Sequence, residues 1–219
     1  MQLTRRLAGI SGVVFVVLSA AVVVTAPPLP TLEASGADIV TYYSAHQAGF
    51  LVGNYLGALA VVPGFLALVY LAIMIRDAEP GRGSLWILAI AANATALAVA
   101  MMIFALLQAT AVVAPTAPAS TAKAISDAGN MTFAFFFVPN AAAIAALSWG
   151  FLSTGTMPAW IGWSGVLVAL LQLLASLGTV VITGPLAAGG LVTVLAFGAL
   201  LGWLLVIAIL LIVRPAKPA

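Results

Sequence analysis

The charged residues of this chain all lie between six long apolar runs, and none lies inside a run. The seven Lys and Arg and the five Asp and Glu residues occupy the chain ends and the gaps. Each run is about as long as the ~20 residues that a helix needs to cross ~30 Å of hydrocarbon. We therefore predict an all-α membrane bundle, with both termini cytoplasmic and six transmembrane helices over residues 7–26, 50–75, 84–114, 130–152, 159–183 and 190–213.

The composition excludes several classes of protein. With 64% hydrophobic and 5% charged residues, a soluble domain could not cover its apolar surface, and no gap is long enough for a separate domain. We therefore predict a single integral membrane domain over residues 1–219. The absence of cysteine removes disulfides, thiolate catalysis and Cys-based metal sites, and a single histidine excludes bis-histidine haem. We expect no metal, no cofactor and, because the basic residues are scattered, no nucleic-acid partner.

The basic residues also predict an orientation. With six spans, six of the seven basic residues and two acids lie on one side of the membrane, which gives that side a net charge of 6 − 2 = +4. Lys123 and three acids lie on the other side, with a net charge of 1 − 3 = −2. The positive-inside rule then puts both termini in the cytoplasm of a bacterium, in its cytoplasmic membrane. The alternative is that the first run is a cleaved signal peptide, but Pro27 and Pro28 directly follow the only small-residue cleavage site.

Two segments between runs are predicted to lie on the outer side. After the stiff segment Pro27–Pro30, Ser35 and Asp38 fit a capping box that begins a short interfacial helix. The apolar and aromatic face of this helix recurs at helical spacing and leads into the second run, through Ile39, Tyr42, Tyr43, His46 and Phe50. Residues 115–129, which contain two prolines and many Ser, Thr and Ala residues, are predicted to form a second outer loop. Within it Ser120 or Thr121 could cap a short helix, on which Lys123 and Asp127 would pair at i, i+4.

Small residues and prolines inside the runs predict close packing. Gly49, Gly53 and Gly57 line one face of the second helix and allow another backbone to approach, either within the bundle, which we favour, or in a second subunit. Pro63 and Pro139 each remove a helical hydrogen bond. In some transporters such breaks line a substrate cavity. Prolines are also common in membrane helices, where neighbouring helices compensate for the lost hydrogen bond, and we prefer this structural explanation.

The candidate ligand-binding residues are the few polar groups at membrane depth and the histidine at its edge. Amides need partners in lipid, so they either bond between helices, the preferred explanation, or line a cavity for an uncharged polar ligand. His46 and Tyr42 are either an outer-face proton or ligand site or an anchor for the helix end. The candidates are His46, Tyr42, Asn54, Asn93, Gln108 and Asn140, and no catalytic residue is assigned.

Three fragments together resemble an uncharacterised family of bacterial six-helix integral membrane proteins, known as a domain of unknown function. One is a basic residue and glycine opening the first run, Arg6-Leu7-Ala8-Gly9, and another is the tyrosine-rich entry to the second. The third is the turn into the fifth run, Gly155-Thr156-Met157-Pro158-Ala159-Trp160-Ile161-Gly162-Trp163. The resemblance implies a location and a six-helix architecture, and no activity.

Three functions remain open from the sequence. The preferred one is a non-enzymatic binding or accessory protein for a lipid-like molecule or for a membrane partner, which includes a second copy of the chain. The next is a carrier for a small neutral or amphiphilic solute, with a cavity near Pro63, Asn93 and Pro139. The third is an enzyme that modifies lipids at the outer interface through His46. Catalysis without a buried acid or base pair would be unusual, so a non-enzyme is preferred.

Overall fold

The computed structural model describes residues 2–78 and 84–213 and is entirely helical over them. Six of its helices are long and apolar enough to cross a membrane, which confirms the predicted fold class of an all-α, six-span bundle. The helices are α1 (Gln2–Thr25), α2 (Gly36–Ala45), α3 (Gln47–Ala78), α4 (Leu85–Val113), α5 (Ala119–Thr154), α6 (Ala159–Ser176) and α7 (Leu191–Val213), with a 3-10 turn at Leu177–Thr179 after α6.

The six long helices form a closed ring. Each packs against the long helix before it and the one after it, and α7 closes the ring by packing against α1. Helix α3 also contacts α5 across the interior. We call the end where α1 begins and α7 ends the terminal end, and the end where α1 stops and α2 lies the capped end.

Two helix boundaries differ from the sequence prediction. Helix α5 begins at Ala119 directly after Pro118, so the short helix considered within residues 115–129 is present, with its Lys123–Asp127 pair, but it is the start of α5 and not part of a separate loop. Proline before the first turn and an alanine-rich sequence both favour a helix start, and Ala122 and Ser126 are fully buried. Helix α6 ends at Ser176 instead of reaching 183, because the chain folds back at Gly178, where a Cβ would lie 2.8 Å from the Ala188 nitrogen.

The prolines and the buried glycines sit within continuous helices. Pro63 lies inside α3 and Pro139 inside α5, and neither ends its helix. Gly57 faces the ring of Phe104 on α4, so a side chain there would collide with the ring. Gly49 and Gly53 instead face the last residues of α1 and the segment after it. A Cβ on Gly49 would lie 2.9 Å from the Thr25 carbonyl oxygen.

Tryptophans occupy two environments at the terminal end. Trp149, Trp160 and Trp163 are exposed, as expected for side chains that reach the interface of a bilayer. Trp203 is 5% exposed and its indole N–H donates to the Ile161 carbonyl over 3.0 Å. Its position in the middle of α7 is therefore explained by a buried contact between α6 and α7.

Candidate functional site

Helix α2 forms a cap over one end of the bundle. The predicted capping box is present: the Asp38 N–H donates to Ser35 Oγ over 3.2 Å, and the Ser35 N–H donates to Asp38 Oδ2 over 3.3 Å. One face of α2 is buried against α3, α4 and α5. There the ring of Tyr43 stacks on that of Phe50 with 4.3 Å between centroids. Burial raises the pKa of the Tyr43 phenol, and the Ser126 hydroxyl acts in the opposite direction.

Polar side chains fasten the segment between α1 and α2 to the bundle. Lys123 Nζ donates to the Leu32 carbonyl over 2.9 Å and pairs with Asp127 Oδ2 at 2.9 Å. Asn130 Nδ2 donates to the Pro30 carbonyl over 2.9 Å. These contacts hold the segment between α1 and α2 against α5. The opposite side of this segment therefore has a defined shape.

An open groove of about 530 Å³ lies at the capped end, between the end of α1 and the start of α3. Val23 and Val24, 64% and 85% exposed, form its outward edge. Its walls combine apolar side chains with backbone and imidazole polar atoms, from Val23, Val24, Thr25, Ala26, Pro27, Pro28, Ala45, His46, Ala48 and Gly49. The groove therefore offers both a polar and an apolar surface to a ligand.

His46 is the titratable side chain of the groove. It is exposed and forms the break between α2 and α3. Its Nδ1 lies 2.9 Å from the Tyr42 carbonyl, which can only accept, so Nδ1 carries the proton and the neutral ring presents Nε2 as an acceptor. The Tyr42 ring lies 4.5 Å from the imidazole, centroid to centroid, and its hydroxyl donates to the Pro28 carbonyl over 2.8 Å. The two predicted residues are thus in contact; His46 lines the groove, and Tyr42 bonds to Pro28 in its wall.

Two of the three acids at the capped end, Asp38 and Asp127, are engaged away from His46. Asp38 belongs to the capping box, and Asp127 pairs with Lys123. No group of three His, Asp or Glu side chains that could hold a metal ion occurs within residues 2–78 and 84–213. The arrangement places His46 to accept a hydrogen bond from a ligand.

The predicted amides are dispersed through the bundle. Asn140 Nδ2 donates to Gln172 Oε1 over 3.0 Å, and Gln172 Nε2 donates to the Ala196 carbonyl over 2.7 Å, which links α5, α6 and α7. Asn54, Asn93 and Gln108 each retain one buried atom without a hydrogen-bond partner. The contact of Gly57 with Phe104 places Asn54 and Gln108 at a similar depth, one turn nearer the capped end.

None of these amides lines the groove. A second cavity, of about 10 Å³, lies between α1, α3 and α7 and is lined by apolar residues such as Phe15, Leu71 and Leu204. It also contains no amide, and about one water-sized probe is all that such a volume holds. The structure therefore joins His46, Tyr42 and Gly49 at one place and leaves the other candidates elsewhere.

Sequence reasoning did not include the end of α1 among the site residues. Val23 and Val24 belong to an ordinary apolar run, and nothing in their identity marks them. The available signal was Pro27-Pro28 directly after the run, because proline lacks the N–H that would pair with the last helical carbonyls.

Comparisons of the chain with protein families, with curated proteins and with solved structures found no match. The resemblance noted from three sequence fragments therefore identifies no family. The six long apolar helices that it implied are present. The chain is a multi-pass membrane protein by the length and hydrophobicity of those helices.

Proposed function

We propose that this protein is a non-enzymatic binding protein that holds a lipid-like amphiphile in the groove beside His46. The observation that carries the proposal is the groove itself, whose volume of about 530 Å³ falls within the ~300–1,000 Å³ of typical small-molecule sites. Its position at the ends of apolar helices suits a molecule with one polar and one apolar part.

The two edges of the groove match the two parts of an amphiphile. Val23 and Val24 face away from the bundle, where the acyl chain of a lipid would lie alongside α1. His46 Nε2 and the backbone of α1 and α3 supply the polar part of the lining. In this proposal a bilayer lipid is the partner, the membrane is the bacterial cytoplasmic membrane, and the charge bias places the capped end outside.

The proposal is tested by filling the groove and measuring which molecules copurify. Val24→Trp adds a large ring at the groove edge. Val180→Trp is the matched control. Val180 is 75% exposed, directly follows the 3-10 turn after α6 at the capped end, and does not line the groove. Both variants and the unmodified protein are extracted into native-lipid particles, and bound molecules are identified by mass spectrometry.

We expect one class of amphiphile to be enriched over bulk membrane lipid with the unmodified protein and with Val180→Trp, and lost with Val24→Trp. Equal enrichment in both variants, or no enriched amphiphile, would contradict the proposal. Recurrent copurification of a small water-soluble metabolite in place of an amphiphile would contradict it in favour of the carrier.

A further inference from the structure

We propose that the amphiphile in the groove carries an ammonium group with N–H donors, as in an aminophospholipid headgroup. This inference rests on the proposed function and assigns the chemistry of the polar part of the ligand. It follows from the polar atoms of the groove that remain without partners.

The C-terminal end of α1 presents carbonyls that the chain itself cannot pair. The residues that would donate to the carbonyls of Val23 and Val24 are Pro27 and Pro28, which have no N–H. Within the part of the chain that the structure describes, no other group donates to these two oxygens or to that of Thr25. The groove therefore contains three backbone acceptors to which the described chain donates no hydrogen bond.

The donors next to these carbonyls are already engaged. The Thr25 hydroxyl donates to the Ala21 carbonyl over 2.7 Å, and the Ala26 N–H donates to the Val22 carbonyl over 2.8 Å. His46 Nδ1–H is directed to the Tyr42 carbonyl, which leaves Nε2 of the neutral ring as a further acceptor. An ammonium group, which has donors and no acceptor, is complementary to such a set of atoms.

The charges at the capped end favour a cation. Helices α1 and α2 both end at the groove, and the C-terminus of a helix carries a partial negative charge. The charged side chains at this end are Glu33, Asp38, Lys123 and Asp127, with a formal sum of 1 − 3 = −2. The N-terminus of α3, which begins at Gln47 beside the groove, contributes the opposite sign, as do Lys123 and the other helices that begin at this end. An anionic headgroup is therefore the alternative that the experiment must separate.

The first test compares headgroups on identical acyl chains. The purified full-length protein is placed in nanodiscs that contain phosphatidylethanolamine, phosphatidylcholine or phosphatidylglycerol as a minor component, and retained lipid is counted by native mass spectrometry. We expect phosphatidylethanolamine to be retained about tenfold more than phosphatidylcholine, whose cation lacks N–H donors, which corresponds to about one charge-assisted hydrogen bond. Equal retention of all three, or preference for phosphatidylglycerol, would overturn the inference.

Variants connect the preference to the end of α1. In a Pro27→Ala, Pro28→Ala double variant, two new N–H groups can pair with the Val23 and Val24 carbonyls. We expect retention of phosphatidylethanolamine to fall to the level of phosphatidylcholine, while total lipid binding persists. Pro185→Ala, a change at the same end of the bundle but outside the groove, serves as the control and should keep the preference. Hydrogen exchange of the double variant measures whether α1 has become longer. A longer α1 together with an unchanged preference for phosphatidylethanolamine would refute the role of these carbonyls.

Three further outcomes distinguish failure of the headgroup inference from failure of the proposed function. Competition by free ethanolamine at concentrations that do not disturb the lipid would identify a soluble amine as the ligand and would overturn the lipid form of the inference. Loss of all lipid retention with Val24→Trp, combined with no headgroup preference in the unmodified protein, would leave the proposed function intact and remove the ammonium. Lipid retention that is insensitive to Val24→Trp would remove both.

Discussion

The hydrogen bonds of Gln172 provide the sharpest test of how the membrane-spanning region is held together. This side chain is fully buried on α6, where it accepts from Asn140 on α5 and donates to the carbonyl of Ala196 on α7. Gln172→Leu keeps the approximate volume of the side chain and removes both bonds. Asn140→Leu removes only the bond to Gln172.

The expected cost follows from the number of bonds lost and the amide left behind. Hydrogen bonds between membrane helices contribute about 0.6 kcal/mol on average and up to about 1.7 kcal/mol. An amide left buried without its partner adds about 1–3 kcal/mol. We expect Gln172→Leu to lower the free energy of unfolding by about 2–3 kcal/mol and Asn140→Leu by about 1–2 kcal/mol. The double variant should cost less than the sum, because neither amide then remains unpaired.

The measurement is a double-mutant cycle by reversible unfolding in mixed micelles, followed by circular dichroism. We expect a coupling energy of about 1 kcal/mol between the two positions. Gln108→Leu is the control, because the Oε1 atom of Gln108 has no hydrogen-bond partner, and it should change the free energy of unfolding by less than either single variant. If the costs of the two single variants sum to the cost of the double variant within about 0.3 kcal/mol, a direct bond between Asn140 and Gln172 is refuted.

Two further predictions concern packing and the cap. Gly165→Ala would direct a methyl group into the Ser148 hydroxyl and the Trp203 ring, so it should lower the free energy of thermal unfolding by about 1–3 kcal/mol. The control Gly202→Ala, with nothing within 4 Å of the added methyl group, should be neutral or stabilising, and equal costs would contradict the α6–α7 packing. Lys123→Met removes the bond to the Leu32 carbonyl and should speed amide hydrogen exchange in residues 31–35. Asp127→Asn keeps that bond and should have a smaller effect, and unchanged exchange in Lys123→Met would show that other contacts hold the segment.

The crossing helices and the cap were predictable because their signals are local. A charge-free apolar run of sufficient length predicts a crossing helix without knowledge of its neighbours. The capping box at Ser35 and Asp38 needs only residues three apart, and it is present. The short helix considered within the loop at 115–129 could not be recognised as the start of α5, because Ser, Thr and Ala are compatible with both loop and helix. Burial of Ala122 and Ser126 against the cap, a contact between distant segments, favours the helix.

The groove was only half predictable, for a related reason. His46 and Tyr42 were identified because a histidine and a tyrosine at a membrane edge are unusual, whereas Val23 and Val24 resemble any other apolar residues. Their relevance depends on where α1 stops relative to the start of α3. That position is set by the contacts of Gly49 and Gly53 with Thr25 and Ala26, which the glycine spacing alone could not assign to a partner.

The charged residues of the crossing helices lie near the helix ends, and this has a consequence for where binding can occur. Within these helices, Asn140 and Gln172 bond to each other and to the backbone, so they hold helices together and are not free to meet a ligand. Backbone groups become available in larger number where a helix ends. At the end of α1, Pro27 and Pro28 prevent the following chain from pairing with the last carbonyls, so acceptors remain free beside an apolar edge and His46. A bundle with few polar side chains can in this way recognise a polar headgroup with its backbone.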